Sequence, residues 1–323
     1  MSFADVVGHE PVIRLLKGQL AKGHLAHTVL LVGPEGIGKR TLAVEFAKAL
    51  HCADPKEGDS CGQCEACRKI AEGTYPDVRQ MIPESEGRQI GIDQIRAMGN
   101  WAALTPHSGQ WKVAILDPVD RLTEEAANAC LKVLEEPPAR TLFLLLATGV
   151  HRLPTTLVSR CHQIRCFPQG VDRVASYLRD KEELEPPIAQ MLAVSCGGRL
   201  GLALQFHRTD LLKARNSALD QMLTARQKGE LEIPLGKAPR EEIVESLEWY
   251  AGWWRDLLVL ALQGESDWVI HQDRIEELKR AGVGQKQSIP ELIRQVERAY
   301  WVQEAVQKNA SARMALSVLL NRG

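Results

Sequence analysis

The segment 28–50 constrains the fold of this chain more than any other. Its first five residues, TVLLV, are followed by the glycine-rich loop GPEGIGKRT at 33–41 and by an amphipathic stretch that runs to Leu50. This order predicts a strand, a loop and a helix, which is the context that a phosphate-binding loop requires. The alternative is a glycine-rich strand–helix turn that holds no ligand.

The loop supplies most of the groups that bind a phosphate, but one position departs from the pattern. Backbone N–H groups converge on an anion at a helix N-terminus where glycines allow it, and a lysine adds positive charge. The candidates are Gly33, Gly36, Gly38 and Lys39. The residue after the lysine should be Ser or Thr to hold magnesium, yet it is Arg40, and the hydroxyl follows at Thr41. One residue turns a helix by about 100°, so we expect Thr41 to point elsewhere. The loop therefore lacks the hydroxyl that would normally hold magnesium. Whether it binds ATP or ADP stays open.

A second apolar run carries an acidic residue at its end. Residues 113–116 are followed by Asp117, which is the form of a Walker B strand and would reach a magnesium ion beside the loop. The next residue, often Glu in P-loop ATPases, is Pro118, which has no carboxylate to polarise water. Thr148 ends another apolar run and could contact a γ-phosphate. The alternatives are a helix-capping Asp and a simple strand terminus.

Four of the eight cysteines have the spacing of metal ligands. They are Cys52, Cys61, Cys64 and Cys67. The C-x2-C interval brings two sulfurs to one ion, and zinc prefers four tetrahedral thiolates in a structural site. We expect structural Zn²⁺ here, with a [4Fe–4S] cluster or reduced free thiols as alternatives. The other four cysteines lie singly in apolar surroundings and are expected in the core.

Length and charge restrict the class of protein. The chain has 323 residues and a formal net charge of −1, which argues against a free-standing nucleic-acid binder but not against a local basic patch. No basic and apolar leader is evident at the start, and no apolar run approaches the ~20 residues of a membrane helix. We expect a cytoplasmic protein without membrane contact, in which cysteines favour metal or free thiols over disulfides.

The pattern of apolar residues predicts three domains. Strands alternate with helices as far as Pro168, which predicts an α/β domain with a mostly parallel sheet covered on both faces. This domain, 1–168, contains the cysteine module 52–67. Residues 169–208 read as a small helical domain and 209–323 as an all-α domain. Within the last domain a helix is predicted over Trp268–Ala281.

Ser159-Arg160-Cys161 follow a short helical pattern and precede the last predicted strand. An arginine lifted from a helix beside a sheet could face a neighbouring subunit. Guanidinium suits such a role because it is always charged and binds phosphate oxygens bidentately. In isolation, an ordinary surface arginine is the simpler interpretation.

Together, these segments resemble the AAA+ clamp-loader subunits of bacterial DNA polymerase III, and in particular the delta-prime members of that family. The resemblance covers the whole chain and rests on residues 27–31, the four cysteines, the block 126–138, the run 143–148 and residues 157–161. It implies an AAA+ P-loop domain with an inserted zinc module, a small helical lid domain and a C-terminal helical collar domain.

The resemblance also implies a division of labour between subunits. The motor subunits, gamma and tau, keep an intact Walker A loop, an Asp-Glu Walker B motif and a sensor-2 arginine. Arg40, Pro118 and Gly201 stand at those positions here, with Arg199 two residues before the last. These departures favour a non-hydrolysing stator, with Arg160 as an arginine finger in the ATP site of an adjacent gamma or tau subunit. The implied partners are gamma or tau, delta, the sliding clamp and primer–template DNA, within the DNA-directed DNA polymerase complex.

Two other functions stay open at this point. Gly33, Gly38, Lys39 and Asp117 fit an autonomous AAA+ ATPase or a motor-type clamp-loader subunit. The four cysteines alone would fit a zinc-dependent DNA-binding protein, although no basic cluster flanks them.

Overall fold

The computed structural model describes the chain except for residues 24, 86–88, 109, 210, 230–233, 264–267, 285–287 and 321–323. It divides into two compact units. The first comprises Met1–Gly170 and Gly197–Leu202, and the second comprises Val171–Cys196 and Ala203–Gly323. The division into three domains stays a prediction, and the last three residues of its third domain lie outside the described residues.

The first unit is built on a five-stranded sheet in which all neighbouring strands are parallel. Its strands are β1 (Thr28–Val32), β2 (Val78–Met81), β3 (Lys112–Leu116), β4 (Thr141–Ala147) and β5 (His162–Arg165). Their order across the sheet is β2-β3-β4-β1-β5. In the central pair, Thr28 lies opposite Phe143 and Val32 opposite Ala147. The predicted parallel sheet is confirmed.

Helices cover both faces of this sheet. Successive side chains of a strand point to opposite faces, so Val29 and Leu31 enter one core while Leu30 and Val32 enter the other. The first core also receives residues from α1 (Glu10–Lys22), α2 (Lys39–His51) and α3 (Glu65–Ala71). The second receives residues from α4 (Ile92–Ala103), α5 (Glu124–Glu135) and α6 (Thr155–Val158).

The bounds of helix α5 follow from residues at its two ends. Thr123 caps it by accepting the backbone N–H of Ala126 at 3.2 Å, and two glutamates in the first turn complement the helix dipole. Two prolines at 137 and 138 prevent it from continuing. The helix therefore ends at Glu135, a residue that bears on the site.

The second unit contains only helices among its described residues. They are α7 (Val171–Glu182), α8 (Pro186–Ser195), the greater part of α9 (Leu200–Arg208), α10 (Leu211–Lys228), α11 (Arg240–Gln263), α12 (Ile275–Gly284), α13 (Ile289–Gln307) and α14 (Ala312–Leu320). Tyr250 and Trp254 of α11 pack in its core with Val302 of α13 and Leu316 of α14. No helix among the described residues of the chain has the length and apolar character needed to cross a membrane.

One predicted helix is wrong over its first part. Instead of a helix over Trp268–Ala281, a short 3-10 turn at Gln272–Arg274 precedes α12. The cause is Asp256, whose buried carboxylate accepts the backbone N–H groups of Ile270 at 2.9 Å and His271 at 2.8 Å. These donors are held by a side chain from α11 and so do not form a helical turn.

Candidate functional site

The glycine-rich loop lies between β1 and α2, and two neighbouring strands end beside it. Since the carboxyl ends of parallel strands meet at one edge of a sheet, Asp117 after β3 and Thr148 after β4 come together there. They border a cavity of about 380 Å³ in the first unit. Lys39, Arg40, Asp117, Pro118, Asp120 and Thr148 line this cavity. The sequence prediction that Lys39 and Asp117 share one site agrees with this geometry.

The ammonium of Lys39 is engaged by its own loop. Its Nζ donates to the carbonyl oxygen of Gly33 at 2.6 Å and to that of Pro34 at 2.7 Å. The residue is buried, and burial lowers the pKa of Lys39 while the carboxylate of Asp117 opposes that change. The charge that a phosphate would use is thus hydrogen-bonded to backbone carbonyls.

Arg40 lies against the Walker B aspartate. Its Nε is 3.7 Å from Oδ2 of Asp117, and Nε and Nη2 donate to Oε1 of Gln80 at 3.1 and 2.8 Å. Burial raises the pKa of Asp117, and the positive charges of Arg40 and Lys39 oppose the rise. The arginine therefore offers Asp117 a cation in place of the magnesium that a serine or threonine hydroxyl would help to hold.

Asp120 accepts hydrogen bonds from Thr148 at the same cavity. The sequence prediction did not include Asp120. Its Oδ2 accepts the backbone N–H of Thr148 at 3.3 Å and also the Thr148 hydroxyl. Thr148 thus donates to a carboxylate of its own chain. Thr41, predicted to point elsewhere, is half-buried and is not among the described residues that line the cavity. The sequence feature that could have identified Asp120 as a site residue is its position three residues after Asp117.

The backbone of the loop is covered by residues at the start of α9. The N–H of Gly201 donates to the carbonyl oxygen of Gly36 at 2.7 Å. A Cβ on Gly201 would lie 2.8 Å from that oxygen, and a Cβ on Gly36 would lie 2.8 Å from the nitrogen of Leu202. Gly36 also has φ +77°, a conformation that favours glycine. Both positions thus require glycine for this close contact.

The loop conformation depends on two further glycines. Gly38 has φ +100° at the residue before α2. A Cβ on Gly33 would lie 2.3 Å from the carbonyl oxygen of Cys166. On the other side, Nε2 of His9 is 2.7 Å from the carbonyl oxygen of Ile37. The glycines predicted for phosphate binding therefore allow close packing of the loop within its own chain.

The four predicted metal ligands come together. The Sγ atoms of Cys52, Cys61, Cys64 and Cys67 all lie within 4.8 Å of one another. Four thiolates at about 2.3 Å from one zinc ion would lie about 3.8 Å apart, whereas an iron–sulfur cluster would separate its sulfurs more widely. The donor set and spacing therefore fit a single tetrahedral ion.

Backbone donors prepare the cysteine module for thiolates. The N–H of Cys61 donates to Sγ of Cys52 at 3.2 Å, and the N–H of Cys64 donates to Sγ of Cys61 at 3.3 Å. Although burial acts in the opposite direction, hydrogen bonds from the backbone of Ala53 and Cys67 help to lower the pKa of Cys64 to about 6. Such bonds favour the ionised form that binds a metal, whereas burial raises the pKa of Cys52 and of Cys67.

The cysteine module is tied to the start of the chain through Asp59, which lies between Cys52 and Cys61. Its Oδ1 accepts the N–H of Phe3 at 2.9 Å, and its Oδ2 accepts Nζ of Lys17 at 3.2 Å. Phe3 is only 2% exposed. The same carboxylate thus joins the metal-ligand loop, the first residues and α1.

Arg160 lies just beyond α6, where the backbone turns toward β5. Its Nη1 donates to the carbonyl oxygen of Thr156 at 2.7 Å, and its Nη2 to Oε1 of Glu135 at 2.6 Å. The residue is exposed. The sequence prediction of an outward-facing arginine agrees with this position, but the partnership with Glu135 was missed because the two residues lie 25 positions apart.

Comparison with known proteins gives independent evidence on the family of this chain. A family model described as DNA polymerase III, delta subunit, matches residues 8–169, which is half of the chain. DNA polymerase III subunit delta′ of Pseudomonas aeruginosa is 36% identical over 62% of this chain and 63% of its own length. Subunit delta′ of Haemophilus influenzae is 32% identical over 76% of this chain and 73% of its own length.

Subunits named tau are similar to this chain as well. DNA polymerase III subunit tau of Bacillus subtilis is 35% identical over 57% of this chain, and the match spans 32% of tau. The matched regions thus span less than two thirds of the Pseudomonas and Bacillus relatives. The resemblance predicted from the sequence is confirmed by the family model and the two delta′ relatives, and the chain belongs to the DNA polymerase III delta and delta-prime family of clamp-loader subunits.

Proposed function

We propose that this chain is a delta-prime stator of the DNA polymerase III clamp loader, which does not hydrolyse ATP and supplies Arg160 in trans to the ATP site of an adjacent gamma or tau subunit. In this role it acts in the cytoplasm with gamma or tau and delta, while the complex loads the sliding clamp onto primer–template DNA. The relatives in the polymerase III complex support the assembly.

The state of the P-loop cavity is the observation that carries the proposal. Lys39 donates to loop carbonyls, and Arg40 pairs with Asp117. Pro118 follows Asp117 and offers no carboxylate to orient a water molecule. A site with an arginine at the magnesium-binding hydroxyl position and a proline at the position of the water-positioning acid lacks two groups that ATP hydrolysis uses.

Arg160 supplies the complementary half of the proposal. Its guanidinium is exposed beside the sheet, and a cation delivered to a γ-phosphate in trans accelerates hydrolysis on the order of 10³–10⁵ in known arginine-finger systems. The chemistry would belong to the neighbour's ATP site, and this chain would contribute one charge to it.

Zinc is the metal that we propose for the four cysteines. Four thiolates leave no coordination position open, so the ion would serve the fold rather than catalysis. The close sulfurs and the N–H donors to Cys52 and Cys61 support this assignment.

The decisive experiment compares two variants in a loader reconstituted with gamma or tau, delta and the sliding clamp. Arg160→Ala should lower clamp- and DNA-stimulated ATP turnover while gel filtration finds the complex intact. Arg14→Ala removes an exposed arginine of α1 in the same unit and should leave turnover near that of the unsubstituted loader. Full turnover in the Arg160→Ala loader would contradict the trans role.

The retained P-loop residues favour one second candidate, an autonomous or motor-type ATPase. The isolated chain would then hydrolyse ATP, and Lys39→Ala would abolish the activity. On the stator proposal the isolated chain has no Lys39-dependent turnover, which a coupled phosphate-release assay measures directly. Turnover that Lys39→Ala abolishes would favour the ATPase and contradict the stator.

A further inference from the structure

Arg160 is held at two points by its own subunit. One is the carbonyl oxygen of Thr156, within the short helix that precedes it, and the other is the carboxylate of Glu135 at the end of α5. The two bonds involve different nitrogens of the guanidinium, Nη1 and Nη2. Two contacts on a planar group fix both its position and its plane.

The contacts do not bury the guanidinium. The side chains of Arg160 and Glu135 are 35% and 49% exposed. The guanidinium fork has more N–H donors than these two bonds use, so donors remain for an incoming anion. An exposed ion pair contributes little to folding stability, and its main physical effect is to restrict the rotamers of a long side chain.

We propose that Glu135 is a positioning residue for Arg160, which orients the guanidinium before a phosphate of the neighbouring subunit arrives. This inference rests on the trans role of Arg160 proposed above. A flexible arginine must be ordered when it meets the phosphate, and ordering one such side chain costs enough to slow a reaction about 2- to 10-fold. Glu135 and Thr156 already order the Arg160 side chain in the folded subunit, so this ordering is not required when the phosphate arrives.

The arrangement places Arg160 between two anions during the reaction. Glu135 stays on one nitrogen while the phosphate approaches the remaining donors. If Glu135 instead restrained Arg160 and had to release it, its removal would speed the neighbour's reaction. Positioning and restraint therefore predict opposite changes in rate.

The test uses the complete loader and a series at Glu135. Glu135→Ala should lower kcat of the ATPase about 2- to 10-fold with the KM for ATP unchanged, because only the orientation of the trans cation is lost. Glu135→Gln should recover part of the rate, since its amide oxygen still accepts the arginine N–H. Glu136→Ala, which removes an exposed charge one residue later, is the matched control and should retain the original rate.

A double variant separates this inference from the proposed function. If Glu135 acts through Arg160, adding Glu135→Ala to Arg160→Ala should cause no further loss. An unchanged or raised kcat in Glu135→Ala, together with a lowered kcat in Arg160→Ala, would overturn the positioning role and leave the arginine finger standing. An unchanged kcat in Arg160→Ala would instead overturn the trans role itself.

Discussion

Arg40 and Asp117 form an ion pair at the mouth of the P-loop cavity, with Nε 3.7 Å from Oδ2. The two residues stand at positions where P-loop NTPases have a metal-binding hydroxyl and a metal-binding carboxylate. The site therefore contains an internal cation. The effect of this ion pair can be measured separately from the effect of having proline, which has no carboxylate, at position 118.

Replacing Arg40 with serine should restore part of the magnesium chemistry without restoring hydrolysis. Loss of a partly exposed ion pair that competes with the metal corresponds to about 1 kcal/mol, or about fivefold in affinity. We expect magnesium-dependent ADP binding to tighten by that factor in titration calorimetry. On the stator proposal, ATP turnover should be absent in this variant too, because Pro118 still offers no carboxylate. Equal binding with and without magnesium would contradict this prediction.

The buried carboxylate of Asp117 should leave a signature in the pH dependence of stability. Burial raises its pKa above the ordinary value of 3.8, so the native chain keeps this proton to a higher pH than the unfolded chain. The free energy of unfolding then falls as pH rises from the ordinary value through the raised one. Urea titrations from about pH 3.5 to 7 should find a smaller fall in Asp117→Asn.

The control for that measurement is Asp93→Asn, since the side chain of Asp93 is 93% exposed. Its stability should follow the pH dependence of the unsubstituted chain. If Asp117→Asn and Asp93→Asn gave parallel curves, burial of Asp117 would have no energetic consequence and the prediction would be wrong.

Metal removal should free the start of the chain as well as the cysteine module. Asp59 lies in the ligand loop and accepts the N–H of Phe3, so a loop that loses its ion should lose this contact. We expect about one zinc per chain by metal analysis. A strong chelator should speed amide exchange over residues 1–6 and lower the unfolding midpoint. A loss of about 2 kcal/mol corresponds to about 4–8 °C in a unit of this size.

The variant Cys64→Ser should reproduce these changes without a chelator. Cys196→Ser, at a buried cysteine of the second unit, is the control and should keep both the metal and the protected residues 1–6. A metal-free chain with unchanged exchange at those residues would refute the coupling through Asp59.

Gly201→Ala should destabilise the first unit. The added Cβ would lie 2.8 Å from the carbonyl oxygen of Gly36, which is closer than backbone atoms tolerate, and overpacking of this kind costs about 1–3 kcal/mol. Gly170→Ala meets nothing within 4 Å and should have little effect. Denaturant midpoints of the two variants measure the difference, and equal midpoints would contradict the close contact.

The sequence predicted those parts of the structure that local pattern determines. The bounds of α5 follow from Thr123 and the two prolines, and the strands follow from their apolar runs. The short helix α3 was not predicted. The helix predicted over Trp268–Ala281 is wrong over its first part because the carboxylate of Asp256 in α11 accepts the N–H groups of Ile270 and His271. Periodicity carries no information about a side chain that arrives from another helix.

The residues of the candidate site could largely be predicted from the sequence, whereas several of the contacts between them could not. Lys39 and Asp117 were expected together because their motifs follow strands of one parallel sheet, and β1 and β3 are separated there only by β4. The bond between Gly36 and Gly201 and the pair of Glu135 with Arg160 join residues distant along the chain. Only the folded arrangement brings them together, so a single sequence cannot reveal them.

The contact between Gly36 and Gly201 has a consequence for how such a subunit can evolve. An arginine introduced at 201 would bring its Cβ within 2.8 Å of the Gly36 carbonyl oxygen. Any side chain at either glycine would therefore force the loop and the first turn of α9 apart. A substitution at one of these positions should thus be accepted only together with a second, compensating change on the other side of the contact.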